Sequence, residues 1–247
     1  MMNEPKPLRR PMDIGQIIDA AIRVYRMNFG EFLAIAAVVV PINAAGAIIT
    51  GLIEDAVVAA IVSIALLVPT VMVSIIAQAA IARAVADVAD GAAPDFESVY
   101  RRVLSRAGTL LVTLLRVMVI VLALFITIVG IPLAIYFTIR WMFIAQAIVI
   151  EGESSSGAME LSARVVKGSW WRTFGILFIV GLLASLPIGA VTLLFSAATP
   201  IAGGLASAVA AAIALPFSAG AGTLLFFDLQ ARDRQRMGIG DEELPSL

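Results

Sequence analysis

The chain has 247 residues, 61% of them hydrophobic and only 14% charged, with a formal net charge of −1. A soluble domain is about half apolar and a quarter charged, and here apolar runs of about 18 residues or more recur, so the chain reads as a multispanning membrane protein. Cysteine and histidine are both absent, which excludes disulfides, thiol nucleophiles, the commonest general base and the commonest transition-metal ligand.

Residues 1–12 read as a polar, Pro-rich lead-in with no apolar pattern to pack and no signal-peptide core. Asp13 is placed to cap a helix, with Gln16 three positions on completing a capping box. The helix it opens is amphipathic: Ile14, Ile17, Ile18, Ala21, Ile22 and Tyr25 form one stripe, and Arg23 and Arg26 fall off it. It is too polar to span, so it is expected in the membrane interface, apolar face down. A first span is expected over 32–53, a turn at Glu54–Asp55, and a second span over 56–82.

The polar linker ADGAAPD leads to a second amphipathic helix with Phe96, Val99, Tyr100, Val103 and Leu104 on one face and Arg101, Arg102 and Arg106 off it. Spans three and four are expected over 109–129 and 131–150, joined by a tight hairpin at Gly130 and Pro132. A third amphipathic helix, 156–167, carries a Glu160–Arg164 pair at the favourable i,i+4 spacing, and Gly168 is placed to stop it. Trp170 and Trp171 open span five, expected over 173–197. Span six is expected over 201–229, and 237–247 reads as a disordered tail.

The fold class is therefore all-α: one membrane domain, 13–236, with six transmembrane helices in three hairpins and three amphipathic helices on the cytoplasmic side. Its order of helix, span out and span back repeats over 13–90, 95–152 and 156–232, an internal threefold repeat. Apart from Arg116 and Arg140 inside spans, the other 15 of the 17 basic residues fall in the N-terminal segment, the two long connections and the C-terminus. By the positive-inside rule both termini face the cytoplasm. Arg23, Arg26, Arg101, Arg102, Arg164, Lys167, Trp170 and Trp171 are the expected interfacial residues. Each basic cluster borders a span, so none of them forms a nucleic-acid face.

Arg116 and Arg140 are the residues that point to a ligand. Arg140 lies 11 residues before Glu151, about 16 Å along a helix axis, and Arg116 lies at a similar depth on the preceding span. No carboxylate stands in the core of a span to pair with them. An intramembrane arginine is costly to insert and marks a functional site by default. With Thr113 and Tyr136 the two arginines make a candidate site for an anionic group; alternatively they bond to carbonyls freed at proline kinks or reach the interface along their own stems. Thr109, Thr113, Arg116 and Thr127 on span three, Ser63, Thr70, Ser74 and Gln78 on span two, and Ser185, Thr192 and Ser196 on span five are read as an inward polar seam or as helix–helix hydrogen bonding. No phosphate loop, dinucleotide fingerprint or zinc-ligand spacing occurs. No catalytic residue, metal ligand or cofactor is expected.

Three stretches, RPMDIGQIIDAAIRVYRMNFGEFLAI from Arg10, IRWMFIAQAIVIEGESSSGAMELSARVVKGSWWRTFGI from Ile139 and LLFFDLQARDRQR from Leu224, together resemble the membrane domain of some bacterial glycerophosphoryl diester phosphodiesterases and its stand-alone relatives. The resemblance implies a six-span module of the cytoplasmic (inner) membrane of a prokaryote, without the separate soluble barrel that carries hydrolysis in the fused enzymes. The expectation is a non-enzymatic module that binds or moves a lipid or anionic amphiphile in a polar intramembrane cavity. Membrane lipids are its expected partners, and the alternative is a structural subunit that binds a partner membrane protein or a second copy.

Overall fold

Eleven helices make up the described residues, 8–128 and 130–238, of the computed structural model. They are α1 (Ile14–Met27), α2 (Phe29–Ala37), α3 (Val39–Gly51), α4 (Ala56–Ala89), α5 (Phe96–Leu104), α6 (Ala107–Phe125), α7 (Gly130–Arg140), α8 (Ile144–Val149), α9 (Ser155–Val166), α10 (Trp170–Ser196) and α11 (Pro200–Arg236). The molecule is a helical membrane protein. Five stretches are long and apolar enough to cross a bilayer, and α2 with α3 makes a sixth if that pair, bent by 43°, is one span.

The local signals explain most boundaries. Gln16 accepts the Asp13 backbone N–H at 3.2 Å, fixing the start of α1. Asp55 caps α4 by accepting from Val57 and Val58 at 2.8 and 2.9 Å. Gly168, at φ +76°, lets the chain turn out of α9 in the left-handed region where a side chain would be strained. The first span bends at Val38. Pro41 supplies no N–H and its ring crowds the carbonyl four residues back, that of Ala37, which is where α2 ends.

Other segments depart from expectation in instructive ways. Helix α4 runs past 82 to Ala89 and α11 past 229 to Arg236, so Arg83, Asp87, Arg232 and Asp233 are helical rather than linker residues. The fourth span breaks after Arg140 and resumes at Ile144. Residues 8–12 of the lead-in, expected to find nothing to pack against, are docked: Met12 is buried, and the Arg9 guanidinium sits 4.4 Å over the Phe227 ring. Residues 1–7, and the tail from 239 onward, lie outside the described residues.

Helix α11 is the hub, packing against α1, α2, α3, α4, α9 and α10. Burial is concentrated at one end of the molecule. There the last turns of α4 (Ala77 to Asp87) and of α11 (Gly220 to Gln230) meet α8 and the apolar stripes of the three amphipathic helices. Ile17, Ala21 and Val24 of α1, Val99, Tyr100 and Val103 of α5, and Leu161, Val165 and Val166 of α9 are all buried in that common core, so these stripes face protein rather than, as expected, lying apolar face down on the membrane. Away from it the long helices are bare, and none of the most apolar stretch of α4 is buried. A bare apolar surface of this length is what lipid solvates.

Each amphipathic helix also donates one hydroxyl to a carbonyl of another helix near a break or an internal proline. Tyr100 of α5 donates to Ile35, three residues before the bend at Val38, at 2.8 Å. Tyr25 of α1 donates to Ile213, three residues before Pro216, at 3.0 Å. Ser162 of α9 donates to Arg140, at the end of α7, at 2.9 Å. Where a helix is interrupted, neighbouring side chains must satisfy the backbone. Burial pushes the Tyr100 phenol up from 10.0 to about 12, so the folded protein keeps that proton after the unfolded chain has lost it. The resulting stability is whole below pH 10.0 and is lost as the pH rises through about 12, at about 1.4 kcal/mol per pH unit. Tyr100→Phe is expected to remove this alkaline loss and to cost about 1 kcal/mol at neutral pH. Thermal melts of both proteins across the alkaline range check it, and superimposable alkaline curves would rule the phenol out.

Candidate functional site

Arg140 is the last residue of α7, with Tyr136 one turn before it on the same face. Its Nη1 donates to the Tyr136 hydroxyl at 3.3 Å, and the guanidinium lies 6.0 Å from the centre of that ring. Tyr136 is held from the other side. Its carbonyl accepts the Trp170 indole N–H at 3.2 Å, and the two rings stack with centroids 6.0 Å apart. Trp170 stacks in turn on Phe174, one turn further into α10. Behind Arg140, Ser162 closes the break between α7 and α8 by donating to the Arg140 carbonyl and accepting from the Phe143 N–H at 3.1 Å.

These contacts set the level of Arg140. Trp170 is the first residue of α10, and Ser162 belongs to an amphipathic helix, so the guanidinium lies in the layer of the short helices. Gly130–Val149 still forms one apolar stretch long enough to cross a bilayer, with Arg140 inside it at the interruption between α7 and α8. Among the described residues Arg140 has no carboxylate partner, and its surface is partly open.

The other candidates are dispersed. Thr113 is fully buried and donates to the Thr109 carbonyl of its own helix at 2.6 Å. Arg116 is exposed on the outer side of α6, and no hydrogen bond or ion pair joins it to Arg140. The hydroxyls read as a polar seam behave like Thr113. Ser63, Ser185, Thr192 and Ser196 each donate to a carbonyl of their own helix three or four residues back. A groove of about 340 Å³ between α10 and α11 is lined by apolar side chains alone, among them Leu183, Pro187, Ile213 and Phe217.

Several interfacial residues turn out to be structural. Arg102 pairs with Asp87, which is buried and also held by Arg83, at 2.9 and 2.8 Å. Arg164 pairs with Asp233 on α11 at 3.4 Å rather than with Glu160. The Lys167 carbonyl accepts from Arg236. Arg101 makes an exposed pair with Glu97 at 3.7 Å, while Arg23, Arg26 and Trp171 are exposed.

One constellation escaped sequence reasoning altogether. Asp228 is fully buried and accepts from Arg172, from Arg232 at 2.8 Å and from the Met12 N–H at 2.7 Å. Both arginines also donate to the Met12 carbonyl, at 2.6 and 3.2 Å. The node joins the lead-in, α10 and α11. The i,i+4 spacing of Asp228 with Arg232, and of Arg83 with Asp87, was the available signal.

Chemically, the Arg140 corner offers a fixed cation, a phenol and an aromatic wall, groups whose chemistry suits an anion. Among the described residues no group of three or more carboxylates could hold a metal ion. Comparison with protein-family models, with curated proteins and with solved structures finds no match. The functional reading therefore rests on this geometry.

Proposed function

We propose that the chain is a non-enzymatic, six-span module of a prokaryotic inner membrane, with both termini cytoplasmic, that binds the anionic headgroup of an amphiphile at Arg140. The observation that carries the reading is the Arg140 guanidinium, held by the Tyr136 phenol, open on one side and beside the Trp170–Phe174 stack. A guanidinium binds phosphate or carboxylate oxygens bidentately and keeps its proton when partly buried. Tryptophan and tyrosine favour the headgroup level of a membrane, where one end of the ring is apolar and the other wet. The one-sided distribution of basic residues supports the orientation. The likeness to a membrane domain whose hydrolytic barrel is a separate unit fits a binding role.

The test is lipid retention. Purified Arg140→Gln is expected to keep about tenfold less anionic lipid than wild type, since a charge-assisted hydrogen bond is lost, with zwitterionic lipid unchanged. Arg140→Lys should fall between the two, because the point charge survives and the planar fork does not. A soluble phosphate competing the lipid off would identify the free anion as an equal ligand. Anionic lipid unchanged in Arg140→Gln and Arg140→Leu would end the proposal.

A further inference from the structure

Arg116 stands apart from this site, and its surroundings define a different kind of recognition. It is the tenth of the 19 residues of α6, so it lies about 14 Å from either end of a helix about as long as a bilayer core is thick. That is farther than one arginine side chain reaches, so the guanidinium does not arrive at the headgroups of a bilayer of ordinary thickness. It is surrounded on the helix surface by Val112, Leu115, Val119 and Leu122, exposed by 63, 57, 57 and 56%. Beyond Arg116 the helix surface turns inward to the buried Thr113 and Leu110, the side that packs toward α5, α7, α8 and α9. The molecule thus presents an apolar stripe with one cation on its margin, midway along its length, at the depth where a charge is least tolerated.

We propose that this face docks a transmembrane segment of another protein that carries a carboxylate at mid-depth. Charge complementarity selects that occupant. A lone cation in hydrocarbon is stabilised by an anion brought by an equally apolar surface, and a span bearing one aspartate or glutamate brings both. A second copy of this chain does not fit. Among the described residues, Asp87 and Asp228 are buried and already held by arginines, and Glu54 and Asp55 lie in a turn between spans. The stripe spacing, 112, 115, 116, 119 and 122, is the i, i+3, i+4, i+7 pattern with which one helix receives another.

A synthetic partner tests this with the full chain. The protein has no cysteine, so Ile128→Cys, at a position 88% exposed, gives a single labelling site beyond α6. In zwitterionic vesicles, energy transfer is measured to a labelled leucine–alanine span carrying a central glutamate, glutamine or leucine. The glutamate span is expected to associate at least tenfold more tightly than the other two, and Arg116→Leu is expected to abolish that preference. Arg116→Glu should instead prefer a span carrying a central lysine. The melting temperature of each variant confirms folding, since Arg116 is exposed. No discrimination among the three spans, or discrimination that survives Arg116→Leu, would overturn the inference. A loss of co-purifying anionic lipid in Arg116→Leu, with the glutamate span not bound by wild type, would overturn it in favour of lipid. Neither readout involves Arg140.

Discussion

Replacing Asp228 with alanine is expected to destabilise the fold by about 3–5 kcal/mol, the cost of breaking a buried ion pair by removing one partner. The carboxylate is fully buried, whereas the side chains of Arg172 and Arg232 are 25% and 32% exposed. Without Asp228 two guanidinium groups face each other across the Met12 carbonyl with no anion between them. The Met12 N–H also loses its acceptor. Both effects act in the same direction, and both are concentrated where the lead-in joins α10 and α11.

Three variants separate charge from hydrogen bonding. Asp228→Asn keeps an oxygen for the Met12 N–H and is expected to cost less than alanine. The triple leucine variant of Asp228, Arg172 and Arg232 is expected to recover most of the loss, because it removes the whole network rather than one member. Thermal melts in detergent give the stability, and limited proteolysis before Met12 reports whether the lead-in has come loose. A midpoint for Asp228→Ala within a degree or two of wild type would mean that the node does not hold the fold.

That node also shows how far the chain could be read in advance. The amphipathic stripes around Ile17, Val99 and Val165 were legible, because a period of 3.6 survives whichever surface buries it. So was the end of α9 at Gly168, a local matter of backbone freedom. Pairing of Arg172 with Asp228 is not local: 56 residues separate them, and a charge at the edge of an apolar run looks the same whether it is solvated or buried. For Arg164 the i,i+4 spacing pointed to Glu160, and only the packing of α9 on α11 brings Asp233 to it instead. The hydroxyl stripe misled for a related reason. Thr113 donates to its own helix, and periodicity does not register that bond. The break after Arg140 has no proline or glycine beside it; Ser162, 22 residues on, supports it. The position of Arg140 could not be derived without that contact.

The last prediction turns on where the packed core lies. Phe226→Ala is expected to cost about 3–5 kcal/mol and Leu193→Ala well under 1, although both residues sit on long apolar helices. Phe226 is fully buried, against Phe143 at a centroid distance of 5.7 Å and in the core shared with the short helices. Its truncation leaves a cavity among side chains that have no lipid to fill it. Leu193 is 74% exposed, and its surroundings, if hydrocarbon, are the same whether or not α10 has packed on its neighbours. Between helices in a bilayer there is no hydrophobic driving force of the aqueous kind, because lipid tails are as apolar as leucine. At the packed end, where α11 leaves its apolar stretch and carries Arg232, Arg234 and Arg236, water restores that force. Melting the two variants side by side in lipid nanodiscs compares them directly. A loss for Leu193→Ala approaching that for Phe226→Ala would show that the long helices are held together within the membrane as strongly as at their packed end.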